Sequence, residues 1–315
     1  MKLKYATSTA IWGGTKLADE WGKKSSLSPI AETWELAVRD DGMMSYIENG
    51  EERGLSLEDY IKKAGNSAVS DSYDGGRFPL LIKFIDAAKD LSVQVHPNDE
   101  YAKKEHNDSG KTEMWYIVDA EEGAEIVCGL KDGKTDEDFA RAVRENDYSS
   151  VLRRVKVKKG ESYFIPAGLA HAICGGILIA EIQQNSDLTY RIYDYDRVGA
   201  DGKKRQLHVE RALDVVRAFD EEEINAIRYA GGGERDPECL ADSEYFSVRK
   251  IEIDGKRAFC ADETSFHCLL CVDGDAEIIF SGEATPIARG ECVFVPANMG
   301  EYELRGKACL LLSKI

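Results

Sequence analysis

The sequence predicts a mainly β chain of two jelly-roll β-sandwich or barrel domains with a few inserted helices. Three observations carry that expectation. Short alternating runs recur along most of the chain, separated by Gly, Pro and Lys turns. Gly160-Glu161-Ser162-Tyr163-Phe164-Ile165-Pro166-Ala167 returns as Gly290-Glu291-Cys292-Val293-Phe294-Val295-Pro296-Ala297. Ile117-Val118-Asp119-Ala120 with Ala124-Glu125-Ile126 returns as Cys271-Val272-Asp273-Gly274 with Ala276-Glu277-Ile278. A many-strand unit met twice argues for two sandwiches in tandem.

The first unit is expected over residues 1–230 and the second over 240–315, with Gly231-Gly232-Gly233-Glu234-Arg235-Asp236 as the linker. The first copy's motifs lie further apart than the second's by about the length of the 135–155 stretch. That stretch therefore reads as a helical insertion, beginning at Thr135-Asp136-Glu137-Asp138-Phe139-Ala140 and reaching about Val155.

Taken in order, the N-terminal third is irregular, apart from a strand-like Glu32-Thr33-Trp34-Glu35-Leu36. Ser56-Leu57-Glu58-Asp59 opens a short helix with a capping pattern. Phe78 to Ile85 is apolar throughout except for Lys83, as in a strand buried on both faces. Such a lysine either snorkels to an edge or points into a polar pocket. A helical turn follows Pro97, then strands Glu113–Val118 and Ala124–Leu130. Further strands are expected at Arg154–Val157, Ser162–Ile165, His171–Cys174 and Ile177–Gln183, then a helix from Val209. Beyond the linker the chain reads as nearly all short strands.

Composition excludes some partners. With 41 Lys+Arg against 58 Asp+Glu the formal charge is -17, which argues against nucleic acid or an anionic membrane as a general partner. The first residues lack the apolar segment of a signal peptide, and no run approaches a membrane span. The eight cysteines show no metal-finger spacing, and Cys268-Leu269-Leu270-Cys271 reads as core. A reduced, cytoplasmic chain accounts for this usage. Nothing in the sequence decides between monomer and homo-oligomer.

Four residues stand out chemically. Gln94 and His96 sit two apart in Leu91-Ser92-Val93-Gln94-Val95-His96-Pro97, so strand geometry puts both on one face. Glu113 begins another strand, and His171 follows the turn Pro166-Ala167-Gly168-Leu169-Ala170. Two imidazoles, a carboxylate and an amide oxygen suit a divalent metal of mixed N/O preference. The repeat maps Glu113 onto His267 and His171 onto Glu301, so the second copy lacks an equivalent set. His267 reads as structural, His106 as solvated, and His208 as a cap or surface residue.

The pattern G-x-x-x-x-[IV]-P-x-x-x-x-H is similar to that of the cupins. More specifically, E-T-W-E around Trp34, Lys83, Q-V-H-P at 94–97, K-T-E-M-W-Y at 111–116, P-A-G-L-A-H at 166–171 and N-S-D-L-T-Y-R at 185–191 resemble the type I mannose-6-phosphate isomerases in their short bacterial form. The resemblance spans essentially the whole chain; one departure is Thr112, where many members carry proline. It implies a zinc-dependent aldose–ketose isomerase that interconverts mannose 6-phosphate and fructose 6-phosphate through an enediol, with one Zn2+ per chain. The implied zinc ligands are Gln94, His96, Glu113 and His171. Arg191, Glu181 and Lys111 match active-site positions, Glu181 being either the base or a structural carboxylate. Lys83 matches a pocket lysine, and Arg197 falls where a basic residue meets the substrate phosphate. Two alternatives stay open: an iron-dependent cupin dioxygenase and a non-catalytic sugar-phosphate binder.

Overall fold

The computed structural model describes residues 1–199, 202–229 and 236–315. Residues 231–235 of the expected linker lie outside the described residues. Three antiparallel sheets carry the strands, of eight, seven and five members. They stack as open sandwiches.

The middle layer is the seven-stranded sheet, which includes Glu32–Leu36, Leu80–Ala87, Glu113–Ala120, Ser162–Ile165 and Ile177–Gln184. Its strands alternate between two apolar environments. Ile85, Trp115, Ile117, Tyr163, Ile165 and Ile179 face the five-stranded sheet and meet its Ile126, Cys128 and Ile173. Ile82, Phe84, Met114, Tyr116, Ala180 and Ile182 face the other way, onto Phe266, Cys268, Leu270, Phe294 and Leu311 of the C-terminal sheet. Both faces are buried, which is why Phe78–Ile85 shows no polar alternation.

The five-stranded sheet includes Val93–Val95, His171–Ile173 and Tyr190–Tyr193. Its outer face is covered by Phe139, Ala142 and Val143 of the helix Asp136–Glu145 and by Ala212 of the helix Val209–Val215. Thr135 and Asp138 close a reciprocal capping box at the start of the first helix. That helix is shorter than the sequence suggested. Asn146 turns left-handed at φ 56, a short turn Tyr148–Ser150 follows, and Leu152–Lys156 is already a strand. Asparagine tolerates that conformation and ends helices as glycine does.

The C-terminal sheet departs further from expectation. Its strands are long rather than short: Ser247–Ala261, His267–Phe280 and Gly300–Lys314 have 15, 14 and 15 residues. Glycines that read as turns sit mid-strand instead. Gly274, at φ 70, pairs with Ala308, and a Cβ there would come within 2.1 Å of the Lys307 carbonyl. The ladder bends at this glycine without breaking. The sheet curls around its own core of Leu269, Cys271, Val293, Val295, Leu304 and Leu310. It also takes in the N-terminal strand Lys2–Lys4, which pairs with Cys292–Val295 on one side and Tyr46–Ile47 on the other. No helix among the described residues is long and apolar enough to cross a membrane.

Candidate active site

The predicted site residues come from two facing sheets. His171 begins its strand directly opposite Gln94, and Gln94 is in turn opposite Arg191. On the seven-stranded sheet, Trp34, Lys83, Glu181, Trp115 and Tyr163 occupy successive paired positions, so all five leave the sheet on one face. Glu113 lies on that same face, two residues before Trp115.

His96, Glu113 and His171 converge, with ligand atoms within 4.8 Å of one another, all buried. Each imidazole is fixed through Nδ1. His96 donates to the Leu188 carbonyl and His171 to the Leu169 carbonyl, both at 2.8 Å. This leaves both Nε2 lone pairs facing Glu113, whose oxygens lie 3.3 Å from His96 Nε2 and 3.9 Å from His171 Nε2. Gln94 reaches the cluster through its amide, 3.4 Å from His171 Nε2, and turning the amide over presents its oxygen.

Electrostatics favour the ligand forms. Burial, reinforced by His96, lowers the His171 pKa to about 3, and burial with the Lys111 charge lowers His96. Both are neutral at ordinary pH. Burial alone would raise the Glu113 pKa, but Lys111 and His96 hold it well below the usual carboxylate range. Glu113 Oε1 is 2.6 Å from Lys111 Nζ, in ion-pair range, yet receives no hydrogen bond of acceptable geometry. A buried carboxylate whose Oε1 receives no well-aligned hydrogen bond, between two imidazoles held with Nε2 toward it, fits a divalent cation.

Glu181 joins the cluster through Trp115. The indole Nε1 donates to Glu113 Oε2 at 3.1 Å and to Glu181 Oε2 at 3.0 Å. Burial, then the charge of Glu113, pushes the Glu181 carboxyl up to about 7. Lys83 takes the polar-pocket alternative: it is buried, 3.6 Å from Glu181 Oε1 and 4.5 Å from the Trp34 ring centroid. Lys111 is buried, with Glu113 and Glu181 outweighing desolvation to raise its pKa. Arg191 donates to the Gln206 carbonyl at 3.0 Å, while its buried Nε has no partner.

Arg197 is engaged elsewhere. Its guanidinium bonds Asp194 and the Asp90 carbonyl. Asp90 precedes the Val93–Val95 strand, whereas His96 follows it. His106 is partly exposed, and its Nε2 lies 2.7 Å from the Tyr190 hydroxyl. His208 occupies the N-cap position of its helix as expected, without a side-chain cap bond, and its Nδ1 accepts from the Arg191 backbone at 3.2 Å. Sequence reasoning missed the bridging role of Trp115, although its position two residues after Glu113 places both on one face. It also missed the two carbonyls that orient the imidazoles, since any residue type supplies a carbonyl.

Face-to-face sheets with two imidazoles and a carboxylate gathered between them define a cupin-type protein with a candidate metal centre. Residues 1–140 match the family model for the phosphomannose isomerase type I catalytic domain, and residues 238–315 match that for the mannose-6-phosphate isomerase cupin domain. The chain is 38% identical over 304 residues to the probable mannose-6-phosphate isomerase GmuF of Bacillus subtilis, covering 96% of this chain and 95% of that protein. It is 37% identical to the mannose-6-phosphate isomerase ManA of the same organism, covering 97% and 95%. The crystal structure of a Bacillus subtilis mannose 6-phosphate isomerase superimposes with a TM-score of 0.88 at 32% identity, covering 100% of this chain and 99% of that one. The chain belongs to the type I phosphomannose isomerases.

Proposed function

We propose that this chain is a zinc-dependent aldose–ketose isomerase that interconverts mannose 6-phosphate and fructose 6-phosphate in the cytoplasm, with one zinc held by Gln94, His96, Glu113 and His171. The observation that carries this reading is the buried convergence of Glu113 with two imidazoles whose Nδ1 atoms are tied to backbone carbonyls, so that both Nε2 atoms point inward at the carboxylate. Zinc bound there supplies a Lewis acid for the charge that develops on the sugar O1 and O2. The chain's own groups do the rest. Glu181 takes the proton from one of the two carbons, leaving an enediol, and returns it to the other. A carboxyl whose pKa is pushed up to about 7 suits both directions of that transfer. Lys111 and Arg191 are assigned to hydrogen bonds with the sugar oxygens as charge builds on them. Lys83 holds Glu181 and contributes positive charge toward the phosphate. Arg197, already committed to Asp194, is a weaker anchor for phosphate than Lys83.

The test is conversion of mannose 6-phosphate before and after chelation, with metal analysis of the purified protein. Activity lost to chelator and restored by zinc supports the reading. A folded, zinc-loaded protein that leaves the sugar unchanged overturns it, and would return attention to a non-catalytic binder. Iron in place of zinc, with oxygen consumption, would point to a dioxygenase.

A further inference from the structure

Gln183 has no part in the chemistry above, yet it lies in register directly opposite Glu113. Its other cross-strand neighbour is Leu81. An apolar side chain would satisfy that neighbour, and burying an amide is costly unless it is bonded. None of Gln183 is exposed, and its amide oxygen meets no donor among the described residues. Its nitrogen, by contrast, donates twice, to the Gln184 carbonyl at 2.7 Å and the Ser186 carbonyl at 2.6 Å. These carbonyls belong to the segment that leaves the sheet after Gln184. Two residues on, Leu188 donates its backbone N–H to Ser186 Oγ at 3.3 Å, and its carbonyl accepts from His96 Nδ1.

We propose that Gln183 is a positioning residue for His96. Its amide clamps the turn at 184–186, which fixes the Leu188 carbonyl, which in turn fixes the imidazole orientation and turns Nε2 toward Glu113. The groups behind a metal-ligating histidine set its ring direction and tautomer, and losing them weakens metal binding. The orphaned amide oxygen fits this role, because only the donating half of the side chain is used. This inference rests on the assignment of His96 as a metal ligand.

The test measures Zn2+ affinity by competition with a chelator of known affinity, in the wild type, Gln183→Met and Ser186→Ala. The Tm of each metal-free protein and the NMR signal of the His96 Nδ1 proton are followed alongside. Gln183→Met is expected to weaken zinc binding by about 10–100-fold, with faster exchange of the Nδ1 proton. Ser186→Ala is expected to shift affinity in the same direction by less. A purely structural role would lower the metal-free Tm and leave zinc affinity alone; that result, in whichever variant folds, overturns the proposal. Failure of the wild type to bind Zn2+ would instead sink the metal assignment. The exchange rate then decides, and a His96 Nδ1 proton equally protected in Gln183→Met overturns the clamp.

Discussion

The two copies of the repeat use the same pair of strand ends for different purposes. In the first, Glu113 lies opposite Ile165; in the second, His267 lies opposite Val295. One pair further along the same faces, the first copy has Trp115 with Tyr163 and the second has Leu269 with Val293. The indole N–H ties two carboxylates together, whereas Leu269 and Val293 fill an apolar core. The position of buried His171 is taken by exposed Glu301. His267 bonds its Nδ1 to the Tyr302 hydroxyl at 2.9 Å and belongs to no cluster of three metal-type ligands among the described residues. The scaffold is therefore indifferent to the site. A handful of inward-facing residues decides whether a sandwich holds a polar cluster or an oil-filled interior.

Substitutions at matched positions sharpen that contrast. Glu113→Gln should have the largest effect, abolishing tight metal binding and lowering activity by about 10³-fold or more, the upper range for losing one preorganised charge. Metal content by mass spectrometry and a coupled isomerase assay check both. Glu181→Gln should keep the metal but lower kcat by about 10²-fold, the lower range for removing a general base. Lost metal in that variant would make Glu181 a structural partner of the cluster instead.

His267 tests the other copy. Burial, with Lys314 adding to it, lowers its pKa to about 4 from 6.5. The folded protein thus keeps His267 neutral where the unfolded chain would protonate it. Its stability contribution is full above pH 6.5 and declines as pH falls from 6.5 to 4, by at most about 3 kcal/mol. Urea unfolding across that window should be less pH-dependent in His267→Gln, with activity unchanged at neutral pH. A fall in zinc content in that variant would contradict the division of labour between the copies. Glu301→Ala, at the exposed counterpart of His171, should alter stability by less than about 0.5 kcal/mol and leave metal binding alone.

Much of the site was legible because strand periodicity is strict. Gln94 and His96 two apart, and Glu113 at a strand start, translate directly into side-chain direction. The repeat register was legible for the same reason, and the pairing of Ile165 with Glu113 and of Val295 with His267 reproduces it. What could not be read depends on partners distant in sequence. Lys83 remained ambiguous until Glu181 appeared on the next strand. Arg197 looked free because its tie to the Asp90 carbonyl links segments more than a hundred residues apart. The long C-terminal strands were hidden because glycine marks a turn and a mid-strand bend alike.

The pairing of Lys2 and Leu3 with Val293 and Cys292 also bears on how the protein is made. During synthesis the first strand leaves the ribosome long before its partner exists. At roughly 5–20 residues per second the wait is on the order of 15–60 s. Once Ile182 has been made, and until the C-terminal strands follow, one face of the seven-stranded sheet, with Ile82, Phe84, Met114 and Ile182, has no cover. Chaperone capture of the nascent chain is expected to be strongest then and to end abruptly once the last strand docks. The half of the molecule that carries the candidate metal centre is thus completed by the half that carries none.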